Sequence, residues 1–593
     1  MEKFTIPIFV VFLLIVLILL SIIPVNGGYS YEGFNYSYAL NDSLSFFDAN
    51  RCGSDVESNN KYKWRVNCHE TDGSDIGMDL TGGFHDDGDF NKTGILQSYS
   101  ASIIGWSYYE YGDVFINTGN DEKVLDTLKR FTDYFIKCNQ ENGSYICDVT
   151  SKEDSANQDS EKKVWIDDSS DSRNREITRK ADNENPASEV LGLTASSLYL
   201  MSKNYRSKDS EYADKCWDTA EELFTMAKQN EGLIYKDGPY KTTSYYDDLA
   251  WAATCKYLAE PDEATINEAD SYIKKAIQEG INFEDKRVMY WDDVYLPAIL
   301  LISDIKKDDK YKNIIKSNIS FWKDGMDKTK GGLRYYTDKG VLSYSASSSY
   351  LALVYSKYYK EKDFEEYAKG QIDYILGNNP NKISYMIGFG LDWSKHPRHI
   401  LANTYTATNN DYKKEAKNLL KGGLVSGPDK DDKFNDDVDK DKYTGVEIDY
   451  NANFIASLSA IENLTKEEEG EEEKKSEVNK VDIPVLNDNQ EKKSQEIKLS
   501  VDDKSTEVDK NTYEKPSDKN PIILKIDINS ESDIGEMDLI INNKVIDSIK
   551  SEVNTYNWVP LQNAEGIYYI ILKARKQNGE EVNSNQIKVI VKF

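Results

Sequence analysis

The chain has 593 residues, with 73 Lys plus Arg against 103 Asp plus Glu and a formal charge of −30. Such an acidic excess excludes nucleic acid as a partner, because phosphate binding needs clustered Lys and Arg. The length allows about four domains at ~150 residues each. Tyrosine is abundant, at 41 against 19 Phe and 9 Trp; its flat apolar face with a polar rim suits sugar rings, and equally fits a compositional habit of the proteome.

The first 27 residues stand apart. Met1-Glu2-Lys3 precedes an apolar run from Phe4 to Val25, followed by Asn26-Gly27-Gly28. The pattern is that of a secretory signal peptide whose apolar run exceeds the usual ~7–15 residues, and it reaches the ~20 that a membrane anchor needs. Either reading exports the rest of the chain, secreted or attached to a membrane or cell surface by its N-terminus. In an exported chain the six cysteines suggest disulfides, and neighbour pairing is the simplest: Cys52–Cys68, Cys138–Cys147 and Cys216–Cys255. There is no Cys-x-x-Cys, which argues against a thiolate metal site.

Residues 28–463 are rich in apolar and small residues at helical spacing. Helices are predicted over 99–111, 122–138, 210–229, 245–259, 264–280, 294–305, 345–360 and 363–376. One more starts at Asn185-Pro186, with Asn as N-cap and Pro in the first turn, and the last starts near Asp449, read as its N-cap. Many antiparallel helices joined by long Gly-Gly, Asn-Pro and His-Pro loops suggest a helical barrel or toroid. Residues 464–520 lack Trp, Phe and Cys and carry runs such as Glu471-Glu472-Glu473, so they read as an acidic low-complexity linker. Residues 521–593 switch to period two at Ile522–Ile526, Met537–Ile541, Tyr568–Leu572 and Ile587–Val591. About seven short strands are expected there, a small all-β sandwich, Ig-like by analogy.

Three of the four histidines lie in two glycine-containing loops. In Thr81-Gly82-Gly83-Phe84-His85-Asp86-Asp87-Gly88-Asp89-Phe90, three carboxylates fall in four positions. Asp86 and Asp89 could hold one water between them, one acting as base and the other orienting it; a solvated acidic turn and a calcium loop are the other readings. In Ser384–His399, Trp393 could stack on a sugar while Arg398 and His399 donate to hydroxyls. A third region runs from Gly427-Pro428-Asp429 through Asp436-Asp437 to Glu447-Ile448-Asp449-Tyr450-Asn451-Ala452. Here Glu447 could be a general acid or a favourable charge at a helix start.

Together these segments resemble glycoside hydrolase family 9, the cellulase and endoglucanase family, over residues 36–463. Thr81–Asp89 is similar to its Gly-Gly-(aromatic)-x-Asp-Ala-Gly-Asp loop. Asn185–Leu200, Tyr245–Trp251, Tyr290-Trp291-Asp292-Asp293, Asp373–Pro380, Ser384–Gly390, Gly427-Pro428-Asp429 and Asp449-Tyr450-Asn451-Ala452 match further segments. The resemblance implies a mainly α fold, an (α/α)6 barrel followed here by the small β domain. It also implies hydrolysis of β-1,4-glucan with inversion. Asp89 would activate water, Asp86 would hold it, and the acid and base carboxyls would stand ~6.5–9.5 Å apart. Tyr246, Trp291, Trp393, Arg398 and His399 are candidates for the sugar groove. No cofactor is required, and acidic loops such as 429–441 admit a structural calcium.

The family pattern breaks in three places. Its acid Glu, six residues before the Asn of Asn-Ala, falls on Gly445, while Glu447 stands where the family has a small residue. In extended chain, two positions are ~6.6 Å apart. The family's His-x-Arg falls on Arg398-His399-Ile400, and its Trp-Gly-Ser-Leu-Arg segment on Lys339-Gly340-Val341-Leu342-Ser343. Two explanations compete: a hydrolase in which Glu447 is a relocated acid, or a catalytically impaired barrel that binds carbohydrate or acts as a scaffold.

Overall fold

The computed structural model describes residues 34–478, apart from 152–174, 284–286, 391 and 404–413, and within 497–592 the ten strands named below together with Ser584. The signal-like segment 1–27 lies outside the described residues. Among the described residues, no helix is long and apolar enough to cross a membrane.

Twelve long helices follow one another: α1 (Tyr36–Asn50), α2 (Gly94–Asn117), α3 (Asp121–Cys138), α4 (Ser188–Tyr205), α5 (Ser210–Gln229), α6 (Tyr246–Ala259), α7 (Glu263–Gln278), α8 (Tyr295–Lys306), α9 (Asp309–Ser320), α10 (Val341–Tyr359), α11 (Lys362–Leu376) and α12 (Ile448–Val478). The even-numbered helices pack in a closed ring, α2 on α4, α4 on α6, and so on to α12 back on α2. They are buried nearly all round, as in α4, where Ser188 to Ser202 are all buried. Outer helices such as α3, α5 and α7 bury one face each against this ring and turn charged residues outward, the pattern of a surface helix, whereas α1 is buried along most of its length. This is the expected (α/α)6 barrel.

Small residues let the inner helices approach. A Cβ on Gly192 of α4 would lie 2.9 Å from the backbone carbonyl of Asp248 on α6, so only glycine permits that crossing. Inner-helix serines satisfy their own hydroxyls, as Ser348 and Ser349 do by donating to the Ser345 carbonyl at 3.0 and 2.7 Å.

The helix opened by Asn185-Pro186 starts later, at Ser188. Asn185 instead belongs to a turn in which Asp182 Oδ1 accepts from its backbone and side-chain amides. Asp449 is not a cap but the second residue of α12, and it is buried.

The acidic stretch after 463 is not one linker, since α12 continues to Val478 and strands begin at Ile497. Four short strands, β1 (Lys92–Thr93), β2 (Asn139–Gln140), β3 (Ser144–Ser151) and β4 (Arg175–Ala181), form a sheet beside the barrel's loops. In the C-terminal region, β5 (Ile497–Val501), β8 (Ile522–Ile528) and β11 (Thr555–Trp558) form one sheet. The other holds β6 (Thr506–Asp509), β7 (Thr512–Pro516), β9 (Ile534–Ile541), β10 (Lys544–Lys550), β12 (Gly566–Lys576), β13 (Glu581–Asn583) and β14 (Ile587–Lys592). All neighbours are antiparallel except β7 and β14. Inward residues of both sheets, among them Leu524, Ile526, Leu539 and Leu572, share one core.

Candidate active site

The loop Thr81–Phe90 is pinned from several sides. The amides of Phe84 and His85 donate to Gln97 Oε1 and the Asn50 carbonyl. Gly88, at φ +73°, lies so close to Arg398 and His399 that a Cβ would stand 2.5 Å from the Arg398 carbonyl oxygen, and the Ile400 amide donates to the Gly88 carbonyl at 2.7 Å. Held this way, the loop presents two carboxylates in different states. Asp89 is gripped by Asn91, whose backbone amide donates to Oδ1 at 2.8 Å and whose side chain donates to Oδ2 at 2.6 Å. Asp86 accepts from the Thr93 amide through Oδ2 at 2.8 Å, while its buried Oδ1 has no partner among the described residues. Burial, reinforced by the charge of Asp89, pushes Asp86 well above the usual carboxylate range.

Across from this loop lies the segment that begins α12. Gly445 has ordinary extended backbone (φ −56°, ψ 141°), yet a Cβ there would stand 2.7 Å from both the carbonyl and the Oδ1 of Asp441. Asp441 thus fills the place where a side chain at 445 would start. Glu447, with its side chain 5% exposed, receives Lys339 Nζ at 3.0 Å and the Tyr450 hydroxyl at 3.1 Å, both on Oε1. The same Lys339 Nζ is 3.0 Å from Asp441 Oδ2. Burial raises Glu447 from the ordinary Glu range, with Lys339 acting the other way. The neighbouring carboxylates, Glu447 first, hold Lys339 strongly protonated.

Tyr240, which no local pattern singles out, feels the carboxylates of both sides. After burial, the groups that raise its hydroxyl are Asp87, Glu447, Asp86 and Asp89. From Tyr240 a row of rings leads away: Trp291 at 5.7 Å, then Tyr290, Tyr344, Tyr336 and Trp322, with successive centroids 5.0–5.8 Å apart. Tyr336 is 39% exposed. Trp322 is buried at the far end, while Tyr240, Trp291, Tyr290 and Tyr344 are half-buried and keep part of their aromatic surface open to a ligand.

Of the groove candidates, Trp291 joins this row and the others do not. Tyr246 donates to Glu279 Oε1 at 2.8 Å, beyond the end of α7. Trp393 is half-buried with Lys395 Nζ 3.5 Å over its ring. Arg398 is buried, donating to the Val438 carbonyl and standing 3.8 Å from Asp441. His399 is fully buried; its Nε2 donates to Asn50 Oδ1 and its Nδ1 accepts from the Ala402 amide. Both its nitrogens are therefore committed to holding the loop, which a lone His-Pro-Arg-His string cannot reveal.

The disulfide expectation is also corrected, because Cys52, Cys68, Cys138, Cys147, Cys216 and Cys255 are all buried and none is joined in a disulfide. Burial alone raises the Cys255 thiol, and Cys216 lies against Tyr212 and Thr132 instead. Cys52 and Cys68 converge with His69 and His85, their four ligand atoms within 4.8 Å of one another; His69 Nδ1 and His85 Nε2 are 3.1 Å apart. Two thiols and two imidazoles form a set suited to tetrahedral zinc. Such an ion would sit one residue from Asp86 and brace the loop. The missed signal was the adjacent Cys68-His69 pair, since these ligands are spread over separate turns rather than a Cys-x-x-Cys. The carboxylates of 429–441 are used differently: Asp429 accepts from its own loop's amides, Asp432 from Tyr374 and the Gly331 amide, and Asp436 from Ser394.

The glycosyl hydrolase family 9 model matches residues 36–458. Endoglucanase A of Bacillus pumilus is 29% identical over 451 residues, 73% of this chain and 67% of that protein. Endoglucanase 4 of Bacillus sp. (strain KSM-522) is 30% identical over 448 residues, 72% of this chain and 69% of that protein. Among solved structures, the cellulase Cel9M of C. cellulolyticum is 43% identical, with a TM-score of 0.69 over 73% of this chain and 99% of its own. With the barrel, the paired carboxylate loop and these matches in agreement, the chain belongs to glycosyl hydrolase family 9.

Proposed function

We propose that the protein is an exported, inverting endo-β-1,4-glucanase. The observation that carries this reading is the unpaired Oδ1 of Asp86 beside Asp89, a carboxylate fixed through both oxygens by Asn91. Asp86 holds a water by accepting one of its protons, and Asp89 removes the other proton as the water oxygen bonds to the anomeric carbon. The glycosidic C–O bond breaks with its electron pair on the departing oxygen, which takes a proton from Glu447. Exchange with solvent then returns the proton to Glu447 and removes one from Asp89. Endoglucanase relatives and the family's cellulase structures, one of them in complex with cellobiose, support β-glucan as the substrate. A polymer of that size is met outside the cell, which fits an export role for residues 1–27 as cleaved signal or retained anchor.

A second reading has one observation in its favour: Asp441 fills the place of the family's acid side chain, as a barrel retained for glycan binding would tolerate. A reducing-sugar assay on soluble β-glucans separates the two. Wild type releases sugar and Asp89→Ala does not, and NMR shows the α-anomer forming first. Equal background release from both proteins, together with retained glucan binding, establishes the second reading instead.

A further inference from the structure

The departures from the family pattern are scattered in sequence but not in space. Lys339 stands where the family has its stacking Trp, Asp87 where its loop has Ala, Glu447 where it has a small residue, and Gly445 where it has the acid. Lys339 Nζ lies 3.0 Å from Asp441 Oδ2 and 3.0 Å from Glu447 Oε1, and Asp87 is the next carboxylate to act on it. We infer that Lys339 is the positioning residue that makes Glu447 the proton donor of this chain, a role that rests on the hydrolase reading above.

The geometry gives each group a part. Lys339 and the Tyr450 hydroxyl both donate to Oε1 of Glu447. An oxygen accepting two such bonds is a poor place for a proton, so the carboxyl carries its proton on Oε2 and offers it from there. Asp441 cannot serve as well, because its Oδ2 is taken by Lys339 and Arg398 approaches its Oδ1 at 3.8 Å. Its side chain is also the more exposed, 21% against 5% for Glu447. Three carboxylates, Asp87, Asp441 and Glu447, share one ammonium, with Asp449 of α12 close behind. Of the three that face the ammonium, Glu447 is the most buried, and Asp449 behind it is pushed up by burial and by the charge of Glu447, so a proton retained on Glu447 relieves the repulsion on both sides. The other groups facing Glu447 are Tyr240, Tyr344 and Tyr450, none of which supplies a cation. Lys339 therefore sets both where Glu447 points and how firmly it keeps its proton.

The sign of the effect follows. A general acid must be protonated, so activity falls as pH rises through its pKa. Lys339 favours the ionised form, and its removal leaves Glu447 protonated to higher pH. The test measures pH profiles of kcat for the full-length protein and its variants on a soluble β-glucan and on a dinitrophenyl β-cellobioside, whose leaving group departs without a proton. Glu447→Gln is expected to lose ~100-fold or more on the glucan and only a few-fold on the aryl glycoside. In Lys339→Met the alkaline limb on the glucan moves up by about one pH unit, while Lys339→Arg keeps it near wild type. The limb is read relative to each variant's own maximum, so partial misfolding does not shift it. An unmoved limb in Lys339→Met, or equal losses on both substrates in Glu447→Gln, overturns the inference while leaving the hydrolase reading intact. A wild type without activity on either substrate overturns both.

Discussion

Gly445→Ala tests whether the family's acid has room in this chain. The backbone there is extended with negative φ, so alanine brings no conformational strain. The added methyl would stand 2.7 Å from the Asp441 carbonyl and 2.7 Å from its Oδ1, well inside the 3.4 Å at which ordinary contact begins. The carboxylate could swing away only by leaving Lys339, and the carbonyl accepts from the Gly445 amide at 2.8 Å, so the backbone turn itself must give. Overpacking of this kind costs about 1–3 kcal/mol, and the smaller entropy of the unfolded alanine chain returns about 0.4–1 kcal/mol. The net expectation is a loss of about 1–2 kcal/mol, read in thermal unfolding of a barrel this large as a fall of about 1–2 °C. Gly445→Glu should lose more stability and gain no turnover on β-glucan. A neutral or stabilised Gly445→Ala, or a faster Gly445→Glu, would show that position 445 is open and would refute the claim that Asp441 occupies it.

The remaining predictions concern the loop and the groove. Full-length protein purified without chelator is expected to carry about one zinc per chain by elemental analysis, and Cys68→Ala or His69→Ala should abolish it and lower the unfolding temperature. Asn91→Ala removes the side-chain amide that donates to Asp89 Oδ2 and should reduce kcat by about 10- to 100-fold with little change in KM; an unaffected kcat removes Asn91 from the proposed base's support. Trp291→Ala should weaken glucan binding by about 1–2 kcal/mol, seen as a higher KM, whereas Tyr246→Ala should leave KM alone, and the reverse ranking would relocate the groove. His399→Ala should lower stability by about 2 kcal/mol or more, because Asn50 Oδ1 and the Ala402 amide lose their buried partner.

The barrel was legible in the sequence because its helices carry either an all-apolar run or an amphipathic stripe, and both survive a reading by periodicity. Two helices escaped. In α1 the buried side includes Asp42, Ser43, Ser45, Asp48 and Asn50, so its pattern is not apolar. In α9 only Tyr311, Ile315, Asn318 and Ile319 are buried, too short a stripe to stand out. The carboxylate loop was legible because three acids about a glycine are costly without a purpose. What was lost lies in contacts between distant segments. Nothing local distinguishes Tyr240 from the other forty tyrosines, and nothing in Arg398-His399 says that both side chains turn inward. The zinc-type cluster was hidden by the same cause: residues 52, 68, 69 and 85 meet only once the loops before α2 have folded over one another.

The two halves of the site are built with unequal security. Asp86 and Asp89 ride on a loop fixed by α1 through Asn50, by α2 through Gln97, by the 398–400 turn at Gly88 and by the cysteine–histidine cluster through His85. A single substitution would leave most of those constraints in place. The proposed acid, Glu447, leans on one lysine whose side chain is 48% exposed, flanked by carboxylates that repel one another without it. Preorganisation is worth most where a water must be aimed. The donor need only reach an oxygen that the substrate itself brings. On the proposed roles, the water-binding half can be kept while the proton-donor half is rearranged, provided cation and carboxylates change together. In this chain the Asp86–Asp89 loop stays close to the family pattern, while positions 339, 445 and 447 depart from it.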